Sequence, residues 1–125
     1  MVREVGESDS VEADLVVSGK PVGLSPESAH TLFVLAREAL ANVARHARAG
    51  RVLVSLRYSD EHVDLVIQDD GIGASEQILQ HYQESSTHFG LKRSRRQVEA
   101  LGGTFEVRNG EESGLAIRAM LPAGT

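Results

Sequence analysis

The stretch "RVLVSLRYSDEHVDLVIQDDGIG", residues 51 to 73, decides how the chain is read. Two runs rich in β-branched and apolar residues flank Ser59-Asp60-Glu61, and a three-residue spacer of that kind predicts an antiparallel hairpin. Side chains alternate across a strand, so Val63, Leu65, Ile67 and Asp69 share one face. The strand therefore ends with an acid on its core side, followed by Asp70, Gly71 and Gly73. Taken alone, this turn has two readings. In one, the glycines supply unusual backbone angles and the acids are solvated. In the other, the glycines let a ligand approach the backbone, and Asp69 is a carboxylate aimed into a partly apolar place, where it needs a partner. An exocyclic purine amine suits that role.

Working outward, "VEADLVVSG" before the hairpin alternates weakly and reads as a strand, and "KPVGLSPES" reads as a loop. A helix over about 25 to 48 follows, with Ser25 as N-cap and Pro26 at the first helical position. Its apolar residues are Leu32, Phe33, Ala36, Leu40, Val43, Ala44 and Ala47. After the hairpin, "ASEQILQHYQESSTH" is polar and loosely patterned; it is read as a loop over 74–89 with a short helix around Glu76 to Tyr82. "FGLKRSRRQVEALGG" predicts a second helix with Leu91, Val98 and Leu101 inward, ended by Gly102-Gly103. "TFEVRNGEESGLAIRAMLP" closes the chain as a hairpin. This order predicts an α/β sandwich in a single domain over 1–125: one mixed, mainly antiparallel sheet of about five strands, covered on one face by helices.

Composition removes several classes. A chain of 125 residues is long enough for its own core. The absence of cysteine excludes disulfides, thiolate metal sites and a cysteine nucleophile. A net charge of −5, from 13 basic and 18 acidic residues, argues against non-specific nucleic-acid binding. No apolar run reaches the ~20 residues of a membrane span, so direct membrane contact is not expected and a cytoplasmic location is.

The first helix carries a polar stripe: Glu38, Asn42, Arg45 and His46 stand at i, i+4, i+7 and i+8, read as lying opposite the core. A carboxylate, an amide oxygen, a guanidinium and an imidazole in that order suit a base, a hard-metal ligand, a phosphate clamp and a flat surface for a ring. On the helix alone, a solvated Glu-Asn-Arg ladder is the favoured account of the stripe.

Together, "REALANVARHARA", "DDGIG" and "HFGLKRSRRQVEALGG", in that order and spacing, resemble the ATP-binding catalytic domain of sensor histidine kinases. These belong to the wider gyrase, chaperone, kinase and mismatch-repair ATPase superfamily with the Bergerat-type fold. The resemblance runs from about Val11 to Pro122, and the "E-A-L-x-N-x-x-x-H" form points to the subgroup paired with NarL and LuxR-type response regulators. It implies ATP and Mg²⁺ as ligands. By that likeness Asn42 ligates the Mg²⁺, Glu38 is the base or orienting group for the attacking imidazole, Arg45 contacts phosphate and His46 lies against adenine. Asp69 accepts from the adenine amino group, Gly71 and Gly73 shape the pocket floor and the hinge of a lid over 74–89, and Gly90 and Leu91 meet the phosphates at a helix start.

Thr87, His88, Ser94, Gln97 and Leu115 depart from the family pattern; Leu115 stands where a threonine hydroxyl is common. Within the basic run, Arg93 and Arg96 read as a solvated face, whereas Lys92 is kept as a phosphate contact. None of the histidines sits in the context of a phosphoacceptor, so the expected partners are a dimerisation and phosphoacceptor domain of the same kinase and, downstream, a NarL/LuxR-type regulator. The isolated chain is expected to be monomeric and not to phosphorylate itself. The alternatives are a degenerate nucleotide-sensing module without phosphotransfer and an anti-sigma-type serine kinase.

Overall fold

The computed structural model describes residues 12–21, 23–43, 50–71, 89–109 and 114–123, with the side chains of Asn42, Phe89, Gly90 and Leu91 outside that description. The elements run β1 (Glu12–Ser18), α1 (Pro26–Asn42), β2 (Arg51–Tyr58), β3 (His62–Asp69), α2 (Phe89–Ala100), β4 (Thr104–Asn109) and β5 (Leu115–Pro122). The five strands form one sheet in the order β1-β2-β3-β5-β4. Only the β1–β2 pairing is parallel; β2–β3, β3–β5 and β4–β5 are antiparallel. The expected mixed, mainly antiparallel α/β sandwich is thus present.

The local signals act as read. Ser25 is in extended conformation and its Oγ accepts from the Ser28 N–H at 3.1 Å, while Pro26 opens α1 where no intrahelical donor is required. Ser59 closes the central hairpin: its N–H donates to the His62 carbonyl at 2.9 Å and its Oγ accepts from the His62 N–H at 3.1 Å. At the end of α2 the Gly103 N–H donates to the Val98 carbonyl (2.9 Å) and the Gly102 N–H to the Glu99 carbonyl (3.0 Å), with Gly102 at φ +84°. This is a Schellman ending, and it needs a residue that tolerates the left-handed region.

The core lies between the helices and one face of the sheet. Val52 and Val54 from β2, Val63, Leu65 and Ile67 from β3, Val107 from β4, and Ile117, Ala119 and Leu121 from β5 meet Leu32, Leu35, Ala39, Leu40 and Val43 of α1 and Val98 of α2. Helix α1 packs against α2 and lies over β3 and β5, while α2 lies over β4 and β5. Two sequence readings of α1 need correction. Phe33 is 62% exposed, and Leu35, which was not singled out, is fully buried. Phe33 lies about 100° around the helix from Leu32, past the edge of the apolar stripe, and the Arg37 guanidinium covers its ring at 5.7 Å from the centroid. Of the polar stripe on this helix, Glu38 alone has a described side chain. Glu38 is half-buried and lies two turns along the same flank as Thr31, which is buried and donates to Gln97 Oε1 of α2 at 3.5 Å. The remainder of the helix expected to about 48, the loop over 74–88 and the short helix around Glu76 to Tyr82 fall outside the described residues.

Candidate functional site

The site is built on the C-terminal end of β3. Alternation along that strand continues from Val63, Leu65 and Ile67 to Asp69, which pairs across to Val52 on the core face and is only 5% exposed. Its carboxylate is held by main chain alone among the described residues. The Gly71 N–H donates to Oδ1 at 2.8 Å and the Leu115 N–H, from the start of β5, donates to the same oxygen at 3.3 Å. Burial pushes the Asp69 pKa up, the two N–H donors oppose that, and the neighbouring Asp70 carboxylate adds to the rise. The acid that sequence alternation placed inward is therefore inward, buried and oriented.

Asp70 turns the other way. Its Oδ1 accepts from the N–H groups of Gly50 and Arg51, both at 2.9 Å, and its own N–H donates to the Arg51 carbonyl at 3.1 Å. The Arg51 N–H is the main cause of a lowered Asp70 pKa. Gly50 in turn accepts from the Glu12 N–H at 2.9 Å. Asp70 thus ties the segment that enters β2, and through it the start of β1, to the Asp-Gly turn. Sequence reasoning passed over this residue; the only available signal was an acid within reach of a strand start, and its partners lie about twenty positions away in the chain.

Of the other sequence-derived site residues, Glu38 is half-buried on the α2-facing flank of α1 and Asn42 is the last residue of that helix. Gly71 is buried directly after β3. Gly90 and Leu91 lie in the first turn of α2, and Lys92 follows them, half-buried. That first turn carries no acid, so the positive end of the helix dipole has no carboxylate near it in the chain. Arg45, His46, Gly73, Thr87 and His88 fall outside the described residues. Leu115, noted in the sequence only for a missing hydroxyl, is brought together with Gly114 to Asp69 by the β3–β5 pairing.

Three further features bound the chemistry. A cleft of about 240 Å³ between α1 and α2 is lined by Glu27, His30, Thr31, Gln97, Ala100 and Leu101, and none of the sequence-derived site residues lines it. Among the described residues no cluster of three or more His, Asp or Glu side chains offers a cation cage. No helix among them is long and apolar enough to cross a membrane.

A family model describing histidine kinase-, DNA gyrase B- and HSP90-like ATPases matches residues 27–125. The nitrate/nitrite sensor protein NarX of Escherichia coli is 34% identical over 86 residues, 69% of this chain and 14% of NarX. The signal transduction histidine-protein kinase/phosphatase UhpB of Salmonella typhimurium is 39% identical over 84 residues, 67% of this chain and 16% of UhpB. The sensor protein VraS of Staphylococcus aureus is 33% identical over 93 residues, 73% of this chain and 25% of VraS. These relatives fit the NarL-paired subgroup, and the chain spans a quarter of their length or less. Among solved structures, the ATP-binding domain of PrrB from Mycobacterium tuberculosis superposes with a TM-score of 0.72 at 25% identity, covering 97% of this chain and 90% of that one. The mycobacterial sensor histidine kinase MprB matches in fold, with a TM-score of 0.73 at 24% identity over 96% of this chain and 89% of its own.

Proposed function

The chain belongs to the histidine kinase-, DNA gyrase B- and HSP90-like ATPase family, and from that premise we propose that it binds Mg-ATP and delivers the γ-phosphoryl group to a histidine on an adjoining dimerisation domain. The observation that carries this reading is the buried Asp69 carboxylate, held through one oxygen by the N–H groups of Gly71 and Leu115. A buried acid oriented by main chain suits a purine amino group, which offers it a hydrogen in place of water.

In this reading Asp69 accepts from the adenine amine, and Gly71 and Gly73 let the ring approach the backbone. Arg45 and Lys92 face phosphate, His46 lies against the ring, and the start of α2 at Gly90 and Leu91, with no acid in its first turn, receives anionic oxygens. Asn42 holds Mg²⁺ through its amide oxygen, a hard donor suited to that ion. Bound there, the ion supplies charge neutralisation at the phosphates. Glu38, one turn earlier on the same flank, orients the incoming imidazole or takes its proton. The acceptor histidine belongs to another part of the kinase, and a NarL/LuxR-type regulator is the downstream partner, so the 125-residue chain binds nucleotide as a monomer without labelling itself.

Calorimetry with ATP, ADP and GTP tests the reading. ATP and ADP bind, and GTP binds at least about tenfold more weakly, because guanine presents an acceptor to the buried acid. Equal affinities for ATP and GTP would remove the adenine assignment. Joined to its acceptor helix, a Glu38→Gln protein keeps ATP affinity and transfers about 10² to 10⁴ times more slowly. Transfer at the wild-type rate takes Glu38 out of the chemistry. No transfer even from the unmutated protein leaves the nucleotide-sensing module.

A further inference from the structure

Orientation of Asp69 depends on the main chain of a strand that starts 46 positions later. We propose that Gly114 and the N–H of Leu115 form a main-chain clamp that sets the direction of the Asp69 carboxylate, and with it the discrimination between purine rings. This rests on the reading of Asp69 as the acceptor for a purine amine. The clamp has two jaws on one oxygen: the Gly71 N–H at 2.8 Å, from the residue just after β3, and the Leu115 N–H at 3.3 Å, from the start of β5. With both donors on Oδ1, rotation about Cβ–Cγ is restricted and the direction of Oδ2 follows from the sheet rather than from a rotamer preference.

Gly114 is what lets the second jaw close. It sits at φ +79°, which disfavours any side chain. A Cβ there would also lie 1.8 Å from the Asp69 carbonyl oxygen, 2.6 Å from its carbonyl carbon and 3.0 Å from Oδ1. Both the strand start and the carboxylate would have to move. The Leu115 side chain takes no part, so the replacement of a family hydroxyl by leucine leaves this hydrogen bond in place. Position 114 is therefore constrained by the geometry of Asp69, and position 115 contributes an N–H that every residue except proline supplies.

The test uses the whole chain with the 114–115 amide replaced by an ester, which removes one N–H and leaves the shape. NMR titration of the Asp69 carboxyl and calorimetry with ATP and GTP are the readouts. The expected result is a higher Asp69 pKa than in the unmodified protein, an ATP affinity about tenfold weaker and a GTP affinity nearly unchanged, so that the ATP-to-GTP ratio shrinks. Gly114→Ala moves the same quantities further, and an amide correlation spectrum establishes that it is folded. A merely structural role for this strand start lowers the melting temperature and leaves the Asp69 titration and the nucleotide ratio alone; that outcome in the ester protein overturns the clamp. If the unmodified protein itself fails to prefer ATP, the adenine reading falls, while the Asp69 titration still decides whether the clamp exists.

Discussion

Asp69 and Asp70 are adjacent in the chain and placed in opposite circumstances. Asp69 ends the core-facing row of β3, is buried, and has its pKa raised by loss of water. Asp70 points out of the sheet end, accepts from the N–H groups of Gly50 and Arg51 at the entry to β2, and has its pKa lowered. Both are hydrogen-bonded to main chain, so hydrogen bonding alone does not separate them. The balance between burial and donors does: for Asp69 desolvation outweighs its two N–H groups, whereas for Asp70 the donors act on a carboxylate that water still reaches. A buried, oriented and costly acid is the form expected of a group kept for a ligand, and an exposed, cheaply charged one is the form of a structural tie.

The largest effect that sharpens this contrast is Asp69→Asn. The amide oxygen still accepts from Gly71 and Leu115, but the buried charge is gone. ATP affinity falls by about tenfold or more by calorimetry, while stability at neutral pH rises in urea unfolding. A variant that loses stability as well as binding would make Asp69 a structural residue like its neighbour.

Asp70→Ala comes next. Losing its bonds to Gly50 and Arg51 lowers stability on the order of 1 kcal/mol, read as a fall in the urea midpoint, and Asp70→Asn, which keeps an oxygen in place, recovers most of it. No recovery with Asn would mean that the charge of Asp70, rather than the tie, carries the effect.

The two acids also predict opposite pH dependences. Asp69 has a folded pKa above its unfolded value, so its contribution is fully present below the ordinary carboxyl range and is lost as pH rises through the folded pKa. Asp70 has a folded pKa below its unfolded value; its contribution is present above the ordinary range and is lost as pH falls through the depressed pKa. Relative to the native chain, the Asp69→Asn protein gains stability with rising pH, whereas the Asp70→Asn protein falls behind as pH rises through the acid range, where the native chain acquires the Asp70 contribution. Parallel curves for the two variants would erase the distinction.

The smallest expected effect concerns a third polar group. Ser94 is 1% exposed and its hydroxyl has no hydrogen-bond partner among the described residues. Unlike Asp69 it has no orienting donors among the described residues, and unlike Asp70 it is buried. Ser94→Ala should change stability by less than about 1 kcal/mol, in the stabilising direction, because nothing is left unpaired by the removal. A large loss in a thermal melt would reveal a partner for the hydroxyl and move Ser94 into the group of working polar residues.

Local chemistry made much of this legible. The Ser25 cap, the Ser59 hairpin, the Gly102 ending of α2 and the inward face of Val63, Leu65, Ile67 and Asp69 depend on residues within a few positions of one another, and each was readable. Periodicity was weaker at its margins. It took Phe33 for a core residue because an apolar side chain at the edge of a helical stripe is buried only if a neighbouring element reaches it, and none of the described elements does. Glu38, read as solvated on its stripe, is half-buried on the flank of α1 that carries Thr31, a placement that depends on the packing of α1 against α2.

The order of elements, the capping, the faces of the strands and the three motif boxes were thus determined by the sequence alone, because each follows from bonds and alternation over short separations. Tertiary structure alone decided that β1 runs parallel to β2, that β5 rather than β4 lies beside β3, and that Asp70 grips Gly50 and Arg51. The physical reason is that a backbone N–H is the same donor at every position except proline and carries no mark of its distant partner. Only when the sheet closes does the N–H of Leu115 meet an acid 46 positions away, and only there does the absence of a side chain at Gly114 acquire a meaning.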